Sequence, residues 1–422
     1  MHRVAAIRDL DISEAPRGAL ARGLGRSYGD CAQNAGGTVF DLTSFDGIDI
    51  DPNTGVLRAD GGTAVSSILE LSVPQGWFLP VTPGTKHVTV GGAVAADIHG
   101  KNHHRDGGIA DHITAMDLFT AGGSTKVLEP GTREFRATAG GLGLTGVVTS
   151  VTLQMIPIET AKVTVDTQRT PDLDTLMAAM TDGDDAYRYS VAWIDLMATG
   201  SATGRGVLTR GDHAPATAVE GTNPLAYQGS SSVSMPDHFP SGLLNRGTVR
   251  AFNEAWYLKA PKTRVRELQS IDKFFYPLDM FADWNRMYGK RGFLQYQFAV
   301  PDAASETVRN IVKAISSARY PTFLAVLKRF GPGSGLLSFP IKGWTLALDL
   351  PIGIPGLADT LSRFDEQVVE AGGRVYLAKD SRLRPEHFHA MYPEYTEWRD
   401  IRDKMDPLGL WRSDLARRLD LI

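Results

Sequence analysis

Residues 21–30, ARGLGRSYGD, and residues 83–104, PGTKHVTVGGAVAADIHGKNHH, are the two glycine-rich stretches that decide the fold. Glycine lacks a Cβ, so a loop rich in glycine can bring its backbone amides close to a pyrophosphate. A third stretch, residues 140–146 (GGLGLTG), would close the same cradle. One such turn alone is a weak signal, but three in one chain predict a dinucleotide site.

The first stretch is not a Rossmann fingerprint. Its third glycine follows after three residues instead of two, and no strand, helix and acidic residue follow in the required order. This disfavours a nicotinamide-binding Rossmann domain. In the second stretch, the small residues around Gly91 and Gly92 would allow a helix N-terminus and its unpaired amides to meet phosphate oxygens.

The composition excludes several classes of protein. A chain of 422 residues with 42% hydrophobic residues is expected to form about two domains. Its net charge of −4, with no basic run, argues against nucleic-acid binding. Cys31 is the single cysteine, so no intrachain disulfide can form. With no signal peptide or long apolar run, we expect a cytoplasmic protein or one peripheral at the plasma membrane.

The predicted secondary structure changes at Pro157, from short strands to longer helices and strands. Before Pro157 the pattern predicts one helix, Ala64–Leu71. The later helices are predicted at Leu173–Met180, Leu278–Tyr288, Ala303–Ala318 and Gly356–Ala371, followed by an amphipathic helical tail from Ser381. The loops between Gly200 and Ser241 are rich in Gly, Ser and Pro, which is typical of a lid.

Three later strands place polar or small residues on one face. Residues 293–298, 323–328 and 344–349 alternate so that one side carries Gln295 and Gln297, Lys328, and Thr345, Ala347 and Asp349. An antiparallel sheet with helices on one face and a cavity on the other would produce this pattern. An ordinary exposed sheet face would produce it equally well.

Motifs along nearly the whole chain resemble the vanillyl-alcohol-oxidase type of FAD-binding family, and within it the actinobacterial oxidases of polyprenylphosphoryl ribose. They include the three glycine-rich stretches, FYPLDMF, GFLQYQF, VLKRFGP, LSFPIKGW, GGRVYLAKDSR, FHAMYP and DPLGLWRSDLARRL. The resemblance implies an α+β fold of the PCMH type. It implies an FAD-binding domain of residues 1–157 and 374–422 around a substrate domain of residues 158–373.

The same resemblance implies oxidation of the ribose 2-hydroxyl of decaprenylphosphoryl-β-D-ribose to a ketone. This is the first half of an epimerisation to the arabinose donor of cell-wall arabinan, and an NADH-dependent reductase partner would complete it. The FAD is expected to be noncovalent, because Arg26 stands in the stretch where some members attach flavin through histidine. Family members are associated with the cell envelope, so the periplasmic side is the alternative location.

Residue by residue, the resemblance implies three groups of site residues. The cofactor would be bound by Arg22, Gly23, Leu24, Gly25, Arg26, Ser27, Tyr28, Pro83, Gly84, Thr85, Val88, Thr89, Gly91, Gly92, Ala95, Ala96, Ile98, Gly100, Asn102, Gly146 and Tyr376. The catalytic residues would be Lys379, His99 and Lys101. The substrate would contact Trp193, Gln295, Gln297, Lys328, Thr345 and Ala347.

Without the resemblance, these residues have plainer interpretations. Lys379 reads as a solvent-facing lysine after a strand, Trp193 as a core residue, and His103 and His104 as turn residues that bond backbone. The histidines lack an HExxH pattern and nearby carboxylates, which disfavours a metal site. Mycobacterial members carry cysteine where this chain has Ala347 and asparagine where it has Thr345.

Two other functions stay open at this stage. One is a soluble alditol or aldonolactone oxidase of the same fold, which would use oxygen and a free sugar. The other is a partner protein without turnover. The prenyl tail of the expected substrate implies contact with a membrane surface, through the segments Pro236–Leu244 and Leu278–Arg291.

Overall fold

The computed structural model describes residues 1–12, 15–221, 223–229, 233–234 and 244–422. Its strands are β1 (His2–Arg3), β2 (Ala19–Arg22), β3 (Thr38–Asp41), β4 (Ile48–Ile50), β5 (Val56–Asp60), β6 (Trp77–Phe78), β7 (Ile113–Phe119), β8 (Thr125–Leu128), β9 (Val147–Gln154), β10 (Ile156–Pro157), β11 (Lys162–Thr170), β12 (Tyr189–Ile194), β13 (Gly206–His213), β14 (Val233–Ser234), β15 (Thr263–Ser270), β16 (Phe281–Ala282), β17 (Phe293–Pro301), β18 (Ala325–Phe330), β19 (Gly343–Pro351) and β20 (Arg374–Val375). Its α-helices are α1 (Val65–Ser72), α2 (Val90–Ala95), α3 (His103–Asp106), α4 (Arg133–Thr138), α5 (Leu173–Gly183), α6 (Arg246–Lys259), α7 (Ile271–Phe275), α8 (Ser305–Ala318), α9 (Leu357–Glu370), α10 (Pro385–Met391), α11 (Tyr395–Met405) and α12 (Asp414–Arg418).

The later part of the chain forms an eight-stranded antiparallel sheet in the order β15-β11-β13-β12-β18-β19-β17-β20. Helices α5, α8 and α9 pack against this sheet. In α8 the buried residues Val308, Ile311, Val312 and Ile315 follow the three-and-four spacing of one helix face. This agrees with the predicted sheet that has helices on one side.

The early part of the chain forms two smaller sheets. The five-stranded sheet has the order β4-β5-β9-β7-β8 and is antiparallel, and β1, β3 and β2 form a parallel sheet of three strands. The glycine-rich helix α2 packs on β9. The predicted α+β architecture is therefore confirmed.

The C-terminal helices return to the early part of the chain. Helix α11 packs on α4, and Trp398 Nε1 donates to Ala137 O at 2.9 Å. Trp411 pairs with Ala19 in an isolated β-bridge. Strand β20 still pairs with β17, so the chain leaves the large sheet only after Val375. The domain boundaries given by the sequence stay a prediction.

Two expected helices differ in the structure. The helix expected at Leu278–Tyr288 is wrong, because 3₁₀ turns at Pro277–Met280 and Trp284–Tyr288 flank β16, and Asp283 adopts a left-handed φ of 57°. The tail is three short helices, not one, since Pro393 and Pro407 follow the ends of α10 and α11. Of the expected membrane segment Pro236–Leu244, residues 236–243 lie outside the described residues.

Within the described ranges, no helix combines the length and apolar character needed to cross a bilayer. The longest, α6, α8 and α9, have 14 residues each, whereas a transmembrane helix needs about 20.

A buried ion pair fixes the C-terminal segment. Arg402 Nη2 lies 3.0 Å from Asp406 Oδ2 and also donates to Trp411 O at 3.1 Å. Arg402→Ala would leave the buried Asp406 carboxylate without its cation, so we expect the free energy of unfolding to fall by about 3 kcal/mol or more. Urea denaturation followed by circular dichroism measures it.

The matched control is Arg399→Ala on the same helix. Arg399 is half-exposed and lies 3.8 Å from Asp403, so its loss should change the free energy of unfolding by less than about 0.5 kcal/mol. Equal effects of the two substitutions would contradict the assignment of the Arg402–Asp406 pair as the anchor of the tail.

Candidate active site

One face of the large sheet collects the predicted substrate residues. The register places Gln297 opposite Ala347, Ala347 opposite Val326, and Val326 opposite Trp193. Because residues opposite each other on neighbouring strands point to the same side, this face extends across four strands. It carries Trp193, Gln295, Gln297, Lys328, Thr345, Ala347 and Asp349. The sequence pattern therefore placed all of these residues except Trp193 together correctly, and Trp193 was expected here from the family resemblance alone.

His99 joins this face through Gln297. The amide nitrogen Nε2 of Gln297 lies 3.1 Å from His99 Nε2 and 3.1 Å from Thr345 Oγ1. An amide nitrogen can only donate, so His99 Nε2 accepts and the ring proton is assigned to Nδ1. Within the described chain, that Nδ1 is buried and has no protein partner. His99 therefore holds an unused hydrogen-bond donor at the edge of the sheet face.

Lys379 lies where the first glycine loop meets the C-terminal segment. Its Nζ is 5.8 Å from the centroid of the Tyr28 ring and 6.0 Å from that of Tyr376. The amide of Tyr28 donates to Ala378 O at 3.0 Å, and the Tyr376 hydroxyl donates to Ala96 O at 3.0 Å. These bonds join the first loop and the end of α2 to residues 376–380, the turn that carries Lys379, which we call the lysine turn.

Three lysines of this region are half-buried and mutually repelling. Burial, together with the charges of Lys379 and Lys101, lowers the pKa of Lys328 to about 7. Burial also lowers the pKa of Lys101 to about 7 and that of Lys379 to about 8. Each keeps some accessible surface, as expected for side chains that line a cleft. Such a cluster favours an anionic ligand.

Lys101 differs from the other two lysines in its contacts. Its Nζ donates to Phe274 O and lies 4.3 Å from the centroid of the Phe274 ring. For Lys328 and Lys379 the structure shows no hydrogen-bond acceptor among the described residues. The predicted catalytic residues Lys379, His99 and Lys101 lie in one region. The ammonium of Lys101, however, is already bonded to the carbonyl oxygen of Phe274.

The first glycine loop offers a row of free backbone amides. From Gly23 to Ser27 the amides have no acceptor in the described part of the chain, and the next amide, of Tyr28, is bonded to Ala378 O. A Cβ on Gly23 would lie 2.1 Å from Thr89 Oγ1, so glycine is required where this loop touches the second segment. Consecutive free amides of this kind form an anion-binding concavity.

The N-terminus of α2 does not offer free amides, which corrects the sequence expectation. The amides of Val90, Gly91 and Gly92 donate to Thr63 O, Gly61 O and Thr89 Oγ1. The small residues here let α2 pack against β5 and β9 rather than free its amides. The first loop, and not the helix N-terminus, is therefore the candidate phosphate cradle.

The predicted cofactor residues divide into two sets by exposure. Those that keep accessible surface, and so can line a cleft, are Arg22, Gly23, Leu24, Gly25, Arg26, Ser27, Tyr28, Pro83, Gly84, Thr85, Val88, Gly92, Ala95 and Ala96. Those that are buried behind them are Thr89, Gly91, Ile98, Gly100, Asn102, Gly146 and Tyr376. Asn102, for example, donates to Pro80 O and Asp106 Oδ2 at 2.8 and 2.6 Å. The cofactor-binding roles stay a prediction.

The free atoms suit a flavin nucleotide. The five loop amides can bind phosphate oxygens, and the unused donor of His99 can bind a ring carbonyl. Lys379, close to Tyr28 and Tyr376, supplies a positive charge at the same place. The residues present therefore fit FAD.

The other histidines of the HGKNHH stretch bond backbone. His103 Nδ1 accepts from Gly331 N at 3.1 Å, and His104 Nε2 lies 3.2 Å from Tyr187 O. In the described ranges, no three His, Cys, Asp or Glu side chains are grouped as metal ligands would be. These two histidines therefore support the loop that carries His99.

The structure adds two residues that were not predicted as site residues. Asp349 lies on the sheet face, where Gln295 Nε2 donates to Oδ1 and the Tyr288 hydroxyl lies 3.4 Å from Oδ2. Burial raises the pKa of the Asp349 carboxyl. The alternation of residues 344–349 already placed Asp349 on this face. Tyr288 was missed because the sequence assigned it to the helix expected at Leu278–Tyr288.

Comparison with known proteins agrees with this geometry. Residues 10–129 match the FAD binding domain family, and residues 357–419 match the D-arabinono-1,4-lactone oxidase family. Decaprenylphosphoryl-β-D-ribose oxidase of Mycolicibacterium smegmatis is 44% identical, over 97% of this chain and 90% of that protein. Alditol oxidase of a Streptomyces species is 29% identical over 37% of this chain and 39% of that protein.

The fold is shared with solved structures. BBE-like 1 of Physcomitrella patens superimposes with a TM-score of 0.68 at 14% identity, covering 97% of this chain and 89% of that one. The matched FAD binding domain contains both the free amides of the first loop and His99, so FAD is the cofactor. On the identity to the mycobacterial enzyme over nearly the whole chain, the protein belongs to the decaprenylphosphoryl-β-D-ribose oxidase family of FAD-binding proteins.

Proposed function

We propose that the protein oxidises the 2-hydroxyl of the ribose in decaprenylphosphoryl-β-D-ribose to a ketone. The observation that carries this proposal is the sheet face where Gln295, Gln297 and Lys328 lie beside His99 and near Lys379. Amides suit sugar hydroxyls, and a lysine suits a phosphate. The name of the mycobacterial relative supports the same substrate.

Bound at the first loop and His99, FAD would supply the hydride acceptor for oxidation of the sugar carbon. Lys379, as an ammonium, places positive charge where negative charge then develops. Burial, followed by the charges of Lys328 and Lys379, lowers the pKa of His99 well below its usual value, so His99 is neutral and donates through Nδ1. We place Asp349 as the acceptor of the hydroxyl proton, because its carboxylate is buried on the same face.

The product would be a keto sugar that still carries the prenyl phosphate. Its reduction by a separate NADH-dependent enzyme would complete the epimerisation to the arabinose form used for cell-wall arabinan. Trp193 would stack on the sugar, while Thr345 and Ala347 leave room for it beside Gln297. We further propose that Arg26, exposed in the first loop, leaves FAD bound noncovalently, and that the protein contacts a membrane peripherally.

A soluble alditol or aldonolactone oxidase is the second candidate. The match of residues 357–419 to the D-arabinono-1,4-lactone oxidase family and the alditol oxidase relative favour it. These similarities cover a small part of the chain, whereas the first candidate has the support of nearly all of it. The three-lysine cluster also suits a phosphorylated substrate better than a neutral polyol.

Anaerobic mixing separates the candidates. We expect farnesylphosphoryl ribose to bleach the oxidised flavin absorbance rapidly, and xylitol or an aldonolactone to leave it unchanged, because Lys328 has an anionic partner in the first substrate only. Stopped-flow absorbance measures the bleaching. Bleaching by the lactone alone would support the alditol or aldonolactone oxidase instead. A purified protein that takes up no FAD would contradict both candidate functions.

The pH dependence tests Lys379. Its pKa is lowered to about 8 by burial, so the side chain is charged below that pH and neutral above it. The rate of flavin reduction should therefore fall as the pH rises through about 8. Lys379→Met should reduce this rate by about 10²-fold or more and abolish that pH dependence.

Lys328→Met is the matched comparison in the same cleft. We expect it to raise KM for the prenylphosphoryl sugar more than it lowers kcat, since Lys328 is assigned to the phosphate. A pH profile of the Lys379 variant with the wild-type fall near pH 8 would contradict the role given to this lysine.

A further inference from the structure

Helix α6 turns an apolar face outward. Only Val249 and Asn253 of its 14 residues are buried. Phe252, Trp256 and Leu258 are 48%, 46% and 61% exposed, and the rings of Phe252 and Trp256 stack at 6.2 Å. At 100° per residue, the side opposite the buried stripe is formed by Ala251, Ala255 and Leu258, whereas Phe252 and Trp256 lie on one flank of the helix, next to that stripe. Exposed aromatic and aliphatic side chains grouped on one helix mark an interaction surface.

The region around this face is basic. Residues 244–270 contain six Lys or Arg and two Asp or Glu, in a chain with 44 basic and 48 acidic residues. The two acidic side chains are both paired, Glu254 with Arg205 at 2.6 Å and Glu267 with Arg264 at 3.2 Å, and the segment has four more basic than acidic residues. The remaining positive charge therefore complements an anionic surface.

Exposed apolar residues also occur on β15, the element that follows α6 in the chain. Val265 and Leu268 are 64% and 42% exposed on this strand, which forms one edge of the large sheet. Aromatic and aliphatic side chains bordered by Lys and Arg are the composition of a surface that lies at a bilayer interface.

A continuous row of aromatic rings connects α6 to the candidate active site. Centroids of successive rings are 5.9, 5.8, 4.2 and 5.5 Å apart along Phe252, Phe323, Tyr288, Phe293 and Tyr28. Tyr28 in turn lies beside Lys379. Phe323 and Tyr288 are buried in this row, so it is packed core that joins α6 to the lysine end of the site.

From these observations we propose that the outward face of α6, with the adjoining edge strand β15, docks on an anionic lipid bilayer. The docking surface rests on exposure and charge alone and is independent of the proposed substrate. The surface is distinct from the Leu278–Arg291 segment expected from the sequence, of which only Tyr288 lies in the row.

Vesicle sedimentation of the FAD-loaded protein tests the docking surface. We expect the wild type to sediment with vesicles of phosphatidylcholine and phosphatidylglycerol and to bind much less to phosphatidylcholine alone. Phe252→Ser/Trp256→Ser should weaken the binding by about tenfold or more. The matched control Leu408→Ser removes a residue that is 79% exposed elsewhere and should bind as the wild type does.

Fluorescence gives a second measurement on a folded protein. A blue shift on addition of the anionic vesicles is expected in the wild type and should be lost in Trp256→Phe, which keeps an aromatic ring and should still sediment. Equal vesicle binding by wild type and the double variant would overturn the proposal. So would self-association of the wild type, abolished by the same variant, without binding to vesicles.

Failure of the docking surface and failure of the proposed function give different results. Flavin reduction by farnesylphosphoryl ribose is measured without vesicles and reports only on the substrate. Vesicle binding by a protein whose flavin this sugar does not reduce would leave the docking surface intact and count against the proposed function alone.

Discussion

One close approach of backbone to backbone positions the whole site. A Cβ on Gly29 would lie 1.6 Å from the carbonyl oxygen of Asp380, so only glycine allows the first loop to rest on the lysine turn. Arg418 holds the two sides together, 2.8 Å from Asp30 and 2.9 Å from Asp380. The free amides of the loop and the Lys379 ammonium are thereby fixed relative to each other.

The electrostatics of the site follow from this placement. Lys379 lies in the same region as Lys328, and burial lowers the pKa of both side chains. Asp349 opposes this effect on Lys379, and His99 stays neutral among the cations. Two lysine side chains thus share a cleft with the single carboxylate of Asp349, an arrangement that is costly in the free protein and is relieved by an anionic ligand. This is the physical reason to favour a phosphorylated substrate.

Sequence patterns predicted the sheet face well because a period of two directly reports which residues share a side. Gln295, Gln297, Lys328, Thr345 and Ala347 were found in this way. The amides of α2 were misjudged, since small residues signal close packing as readily as ligand contact. Helix α6 went unrecognised because only Val249 and Asn253 are buried in it, so it lacks the usual apolar stripe. The turns around Asp283 were missed because a single left-handed residue leaves no periodic signal.

The central claim is that contact between the first loop and the lysine turn creates the active site. The most direct measurement compares Gly29→Ala with Gly122→Ala, whose added Cβ would meet only Thr120 Oγ1 at 3.7 Å. We predict that Gly29→Ala weakens FAD affinity and slows flavin reduction by roughly 100-fold, while Gly122→Ala matches the wild type. Unchanged FAD affinity and reduction rate in Gly29→Ala would contradict the account.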